Sequence, residues 1–330
     1  MYVARVWHDS LVTFNNNLNN YSDRGQRGGT GSGGGGFGFG GGGGNQGGGG
    51  GLFTGLLFGA LARRFGIPGI IVAAILVFFF NGGMGMLGGN NGADQRAGVN
   101  SSQGGEGFEH CQTAEDANNN DDCRVLATAK SVDQFWNSAL PDEAGTDYRE
   151  PGLVLAEGQT STRCGSANLA STGPFYCPGD ETVYMSVPFF DELKQMGGSN
   201  GPFAQMYVTA HEFGHHIQNL EGNLGLSDYD NPGEDSNAVK MEVQADCYAG
   251  VWAQNADKGE DALLEPLTQE QVEQAIATAR SIGDDAIQSS SGQEVDPDKW
   301  THGSSEMRVD WFMRGYQGGT MKSCHQDFQR

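Results

Sequence analysis

Residues 203–220 read Phe203-Ala-Gln-Met-Tyr-Val-Thr-Ala-His211-Glu212-Phe213-Gly214-His215-His216-Ile-Gln-Asn-Leu220, and this stretch decides the fold. Its apolar positions recur with a helical period, so a helix is expected from about Phe203 to Leu220. Residues four apart on a helix share one face, with Cβ atoms about 5–6 Å apart. His211 and His215 can therefore grip one small cation. Glu212 stands one position round and can reach a water on that cation. Zinc suits neutral imidazole ligands in a tetrahedral site with one position open to water. Water held there ionises near pH ~7 instead of ~15.7, and Glu212 is placed to act as its general base. HExxH on a helix is the signature of that chemistry. His216 lies roughly 100° round from His215 and is expected to hydrogen-bond or face solvent, not to bind metal.

A catalytic zinc needs a third protein ligand. The continuation HExxHxxGxxH is missing, since Gln218 and Glu221 occupy that neighbourhood and no histidine follows. The next helical pattern, Ala238 to Ala253, carries Glu242-Val-Gln-Ala-Asp246, with both acids on one face. This spacing resembles the ExxxD of glutamate-liganded zinc peptidases, where the Glu binds zinc and the Asp orients a ligand histidine from behind. An exposed acidic helix face is the alternative. The small and apolar neighbours Ala245, Ala249, Val251 and Trp252 argue for burial, and an unpaired buried carboxylate is costly. Glu242 is therefore read as the third ligand and Asp246 as its support. Glu234 and Asp235 are weaker candidates in a loop.

Outward from these helices the chain reads as an α+β domain over residues 107–330. A helix is expected from Ser131 to Ala139, where Val132, Phe135, Trp136 and Ala139 form a stripe. Strands are expected at Gly152–Leu155 and Thr182–Val187. All six cysteines fall in this part of the chain, which suits an oxidising compartment. Six cysteines allow fifteen pairings, and the sequence does not choose among them. The pairing expected is Cys111–Cys123 and Cys164–Cys177 as local links, with Cys247–Cys324 as a long clasp.

Upstream the composition changes. Glycine fills 18 of the 24 positions from Gly28 to Gly51, too little apolar surface to offset ordering, so residues 1–65 read as a Gly-rich tail. A phosphate cradle would need a preceding strand and a following helix, and neither is evident. Ile67 to Phe80 is an uncharged apolar run, continued without charge to Leu87. Residues 66–88 are thus expected to form one transmembrane helix, of about the 20 residues a bilayer requires. Arg63 and Arg64 precede it, so the tail is expected in the cytoplasm and the domain outside the cell membrane. Residues 89–106 read as a linker. The net charge of −22 excludes nucleic acid as a partner, since phosphate binding needs a basic face.

With these residues in hand, the chain resembles the bacterial putative neutral zinc metallopeptidase family, membrane-anchored proteins with an outer HExxH domain. The resemblance runs from about Val132 to Cys324. It rests on GPFYCPGDETVYM (Gly173–Met185), HEFGHHIQ (His211–Gln218), EVQADCYAG (Glu242–Gly250) and THGSSEMRVDWF (Thr301–Phe312). It implies a zincin-like fold, bound Zn2+ and hydrolysis of a peptide or protein substrate. Met307 stands where a polar Gln is expected before Arg308. His302 in the last block, or Tyr184 on the strand before the active-site helix, is a candidate to stabilise the oxyanion of a tetrahedral intermediate. A second reading is an inactive zinc-stabilised scaffold tethered to the membrane. Glu212 speaks against it, because a scaffold needs no base beside its metal.

Overall fold

The computed structural model describes residues 13–28, 107–199 and 201–329. The expected transmembrane helix 66–88, the linker 89–106 and most of the Gly-rich tail lie outside the described residues. Among the described residues, no helix is long and apolar enough to cross a membrane.

Helix α1 (Ala114–Asn119) opens on a capping box, in which Thr113 and Asp116 satisfy each other's backbone N–H groups. Helix α2 (Asp121–Ala144) is much longer than the Ser131–Ala139 stripe suggests. Its first half, from Cys123 to Ala129, is buried on every side, so no one-sided pattern marks it. Strands β1 (Gln26–Arg27), β2 (Gly152–Leu155), β3 (Gln159–Thr162) and β4 (Gly165–Asn168) are followed by a short helix α3 (Leu169–Thr172). Strands β5 (Phe175–Cys177) and β6 (Thr182–Met185) complete a sheet of order β1-β2-β6-β5. The first three strands run parallel, and β5 pairs antiparallel with β6. Strands β3 and β4 form a separate hairpin.

The remaining helices are α4 (Phe189–Gln195), α5 (Pro202–Leu220), α6 (Asn237–Asn255), α7 (Gln269–Ser281), α8 (Asp284–Ser290) and α9 (Ser305–Gly318). Pro202 starts α5, where its missing N–H costs nothing, and the Ser236 hydroxyl caps α6 by accepting from the Val239 N–H. Helix α7 is not among the elements expected above, although Val272, Ala275, Ile276 and Ala279 recur at helical spacing behind a Thr268–Gln271 capping box. The serine-rich stretch after Gln288 opens with the last turn of α8.

Two close crossings set the arrangement. A Cβ on Gly214 of α5 would lie 2.9 Å from the Ala245 carbonyl oxygen of α6. Between α6 and α9, a Cβ on Gly250 would stand 2.1 Å from the Phe312 oxygen, and one on Gly315 2.0 Å from the Cys247 oxygen. Any side chain at these points would push the helices apart. The three disulfides form as expected, Cys111–Cys123, Cys164–Cys177 and Cys247–Cys324, and the last ties the C-terminal segment to α6. One large core gathers Trp136, Phe203, Phe213, Trp252 and Phe312.

The domain boundary at residue 107 needs correcting. Residues 13–28 lie within the same body: Phe14 and Tyr21 are fully buried in its core, and β1 extends the sheet. The composition of residues 1–65 as a whole masked this short segment, which has only three large apolar anchors, Phe14, Leu18 and Tyr21.

Candidate metal centre

Helices α5 and α6, held close at Gly214, bring His211, His215 and Glu242 together. One potential ligand atom from each lies within 4.8 Å of the others. His211 Nε2 stands 3.3 Å from Glu242 Oε2, and His215 Nε2 stands 3.6 Å from Oε1. The two imidazoles meet edge to face with centroids 4.8 Å apart.

The other ring nitrogens are already engaged. His211 Nδ1 lies 2.8 Å from Asp246 Oδ1 and His215 Nδ1 2.8 Å from Gln218 Oε1. Each acceptor oxygen calls for the proton on Nδ1, which leaves the Nε2 lone pairs aimed at the Glu242 carboxylate. Three electron-donating groups converging in a buried space is the donor set of a divalent cation. Burial lowers the basicity of His215 despite Glu242 and keeps it neutral, as a ligand must be. On His211, Asp246 and Glu242 outweigh the cost of burial and raise the ring to about 10. A cation on Nε2 meets the same demand for positive charge while the imidazole stays neutral. Glu242 is likewise held well below the usual carboxylate range, as His215, His302 and His211 overcome its burial.

Asp246 is fully buried and does more than orient His211. It accepts from the Tyr207 hydroxyl at 2.5 Å and from Arg308 Nε and Nη2 at 2.8 and 3.0 Å. Gln218 donates in turn to the Met241 carbonyl and to Gln244 Oε1, at 2.7 and 3.0 Å, locking its orientation. The Tyr229 hydroxyl donates to Glu242 Oε1 at 3.3 Å. Tyr207, Gln218, Arg308 and Tyr229 were not singled out by the sequence. Spacing held a signal for two of them: Tyr207 is four before His211, and Gln218 is three after His215.

Glu212 is buried beside the cluster. Burial, reinforced by Glu242, pushes its carboxyl up to about 7, against the pull of His211. His302 sits in a turn that Asp284 holds. Asp284 Oδ2 accepts from the N–H groups of Thr301, His302 and Gly303 at 2.8, 2.7 and 3.0 Å, and Oδ1 lies 3.4 Å from His302 Nδ1. This turn rests on α6, where a Cβ on Gly303 would stand 3.1 Å from Val239 and 3.3 Å from Val243, next to Glu242. Tyr184 is differently employed: its hydroxyl donates to Asp180 at 2.9 Å, and its ring stacks on Phe175. His216 is fully buried, with Nδ1 3.0 Å from the Tyr176 hydroxyl and Nε2 2.7 Å from the Arg149 carbonyl. Glu234 and Asp235 are exposed and take no part in the cluster. Met307 packs with Val239, Val243 and Trp300, so an apolar residue suits that position. A second gathering of potential ligands, around His110 and Asp122, draws its sulfurs from the Cys111–Cys123 disulfide and is not a metal site.

The mixed fold and this donor set define a zinc protein built on an HExxH helix. A family model described as "putative neutral zinc metallopeptidase" matches residues 15–327, and the chain belongs to that family. The match begins well upstream of Val132 and takes in residues 15–28. Relatives include an uncharacterised protein of Mycobacterium tuberculosis, 45% identical over 226 residues, which span 66% of this chain and 75% of that protein. A Mycobacterium bovis protein, also uncharacterised, matches to the same extent. The uncharacterised protein YpfJ of Escherichia coli is 40% identical over 206 residues, 61% of this chain and 68% of its own length. No solved structure matches the chain.

Proposed function

We propose that this protein is a zinc-dependent peptidase with a zincin-like active site, in which His211, His215 and Glu242 hold the metal. Zinc bound there would act as a Lewis acid on a substrate carbonyl and make water a nucleophile near neutral pH. Glu212 takes the proton from the attacking water and passes it to the departing amine. Burial beside Glu242 raises the Glu212 carboxyl above the ordinary carboxylate range, which favours a group that both takes and returns a proton. Asp246 and Gln218 keep the two imidazoles in the tautomer that presents Nε2. His302, fixed by Asp284, donates to the oxyanion that develops on the carbonyl.

The observation that carries this reading is Glu212 itself. A carboxyl group buried beside a second carboxylate destabilises a fold, and a purely structural metal site gives no return for it. The full chain, purified in detergent, should carry about one zinc and cleave members of a diverse peptide library. Cleavage should stop on chelation and return with zinc. A protein that holds zinc and cleaves nothing across the library would favour the tethered scaffold instead.

A further inference from the structure

The two described parts of the domain, ending at residue 28 and resuming at residue 107, touch at these points. Arg27 Nε donates to the Gly107 carbonyl at 3.0 Å, and Nη2 donates to Asp122 at 2.9 Å. The same guanidinium covers the Phe108 ring, 4.2 Å from its centroid. On the other side, the Gly28 N–H donates to the Leu155 carbonyl at 2.8 Å, continuing the parallel pairing of β1 with β2.

Residues 13–28 are anchored along their whole length. The N–H groups of Thr13 and Phe14 donate to Asn118 Oδ1 at 2.9 and 3.0 Å, and the Glu265 N–H donates to the Thr13 carbonyl at 2.9 Å. The Tyr21 hydroxyl donates to the Thr113 carbonyl at 2.8 Å. Arg24 is paired with the buried Asp133, which also accepts from the Tyr148 hydroxyl at 2.6 Å. Its guanidinium lies 5.5 Å from the centroid of Phe213, the residue after Glu212 on α5. Removing the segment would uncover part of the main core, strip a parallel neighbour from β2 and leave a buried carboxylate without its cation.

We infer that residues 13–28 are an integral part of the peptidase domain and stand on the same side of the membrane as residues 107–329. A single crossing between residues 28 and 107 would set Arg27 and Gly107 about 30 Å apart across hydrocarbon, which their hydrogen bond forbids. The two flanks, residues 13–28 and 107–329, therefore face the same side of any bilayer the protein meets. This departs from the expectation, drawn from Arg63 and Arg64, of an N-terminus across the membrane from the domain. It does not depend on the peptidase reading.

Sidedness labelling tests it. All six cysteines are paired, so one introduced cysteine is the single free thiol in the chain. Asn16→Cys, with Asp23→Cys as a second position, reports on the N-terminal segment, and Glu294→Cys reports on the domain; all three sites are exposed. Full-length variants in spheroplasts are treated with a membrane-impermeant maleimide before and after lysis. The N-terminal and domain positions should behave alike, all reacting before lysis or all only after it. Reaction of Glu294→Cys before lysis, with Asn16→Cys and Asp23→Cys protected until after it, would overturn the inference and restore a single crossing.

Discussion

Arg308 of α9 donates from Nε and Nη2 to the carboxylate of Asp246 on α6, at 2.8 and 3.0 Å, with both side chains buried. This pair joins α9 to the rear of a candidate metal ligand, because the same carboxylate holds His211. Removing the cation while keeping bulk, in Arg308→Met, should leave Asp246 charged and short of partners. Loss of one member of a buried pair typically costs about 3–5 kcal/mol. Zinc affinity should fall roughly 10–100-fold, as for other residues that orient a ligand. Competitive zinc titration beside chemical denaturation checks both, and Arg308→Lys should recover only part, lacking the two-pronged geometry.

Gly214 makes a different demand. Gly214→Ala places a methyl group 2.9 Å from the Ala245 carbonyl oxygen and 3.0 Å from its Cα, both backbone atoms that yield little. The variant should lose about 1–3 kcal/mol of stability, the usual effect of overpacking. Because α5 and α6 carry the proposed ligands, zinc affinity should fall with it. Unchanged stability and unchanged zinc binding would show that the crossing is looser than described.

The asymmetry between legible and hidden features has a physical basis. Helices α5 and α6 were readable because their apolar positions recur with a helical period and their candidate ligands stand four apart on one face. The three disulfides form as expected, with separations of 12, 13 and 77, although the sequence alone does not select them among fifteen pairings. Arg308 and Asp284 could not be placed from sequence alone, since their roles depend on which helices cross and where. Residues 13–28 were hidden for another reason: their partners, Asn118, Asp133 and Leu263, lie more than 90 positions away. No local periodicity reports such contacts.

His216 gives the fold a pH dependence. Burial lowers this imidazole from its ordinary 6.5 to about 4, although the Arg149 carbonyl pulls the other way. A folded-state value below the unfolded one means stability is fully present above about 6.5 and is lost as pH falls through 4. The loss should reach on the order of 3 kcal/mol, at about 1.4 kcal/mol per unit. His216→Gln should be less stable at neutral pH, yet show a shallower decline between pH 6.5 and 5. Denaturation midpoints at constant excess zinc measure this, and parallel curves for the two proteins would contradict it.

His302 and Asp284 act as one unit in the proposed reaction. His302→Gln should retain zinc and lower turnover by about 10²–10³-fold, the range for a lost oxyanion donor. Asp284→Asn should act through His302, slowing turnover with a smaller change in KM and shifting the pH profile, because a neutral amide no longer supports a positive imidazole. The double variant should be no slower than His302→Gln alone. Additive losses in turnover would separate the two residues.

The central claim is that Glu212 moves the proton. Glu212→Gln keeps shape and size, so zinc content and substrate affinity should remain close to those of the unaltered protein. An amide accepts no proton, so single-turnover cleavage of a peptide substrate should slow by at least about 10²–10⁴-fold. Measured on zinc-replete protein, that loss with unchanged binding is the predicted result. Cleavage by Glu212→Gln at a near-normal rate, with zinc confirmed in place, would contradict the account.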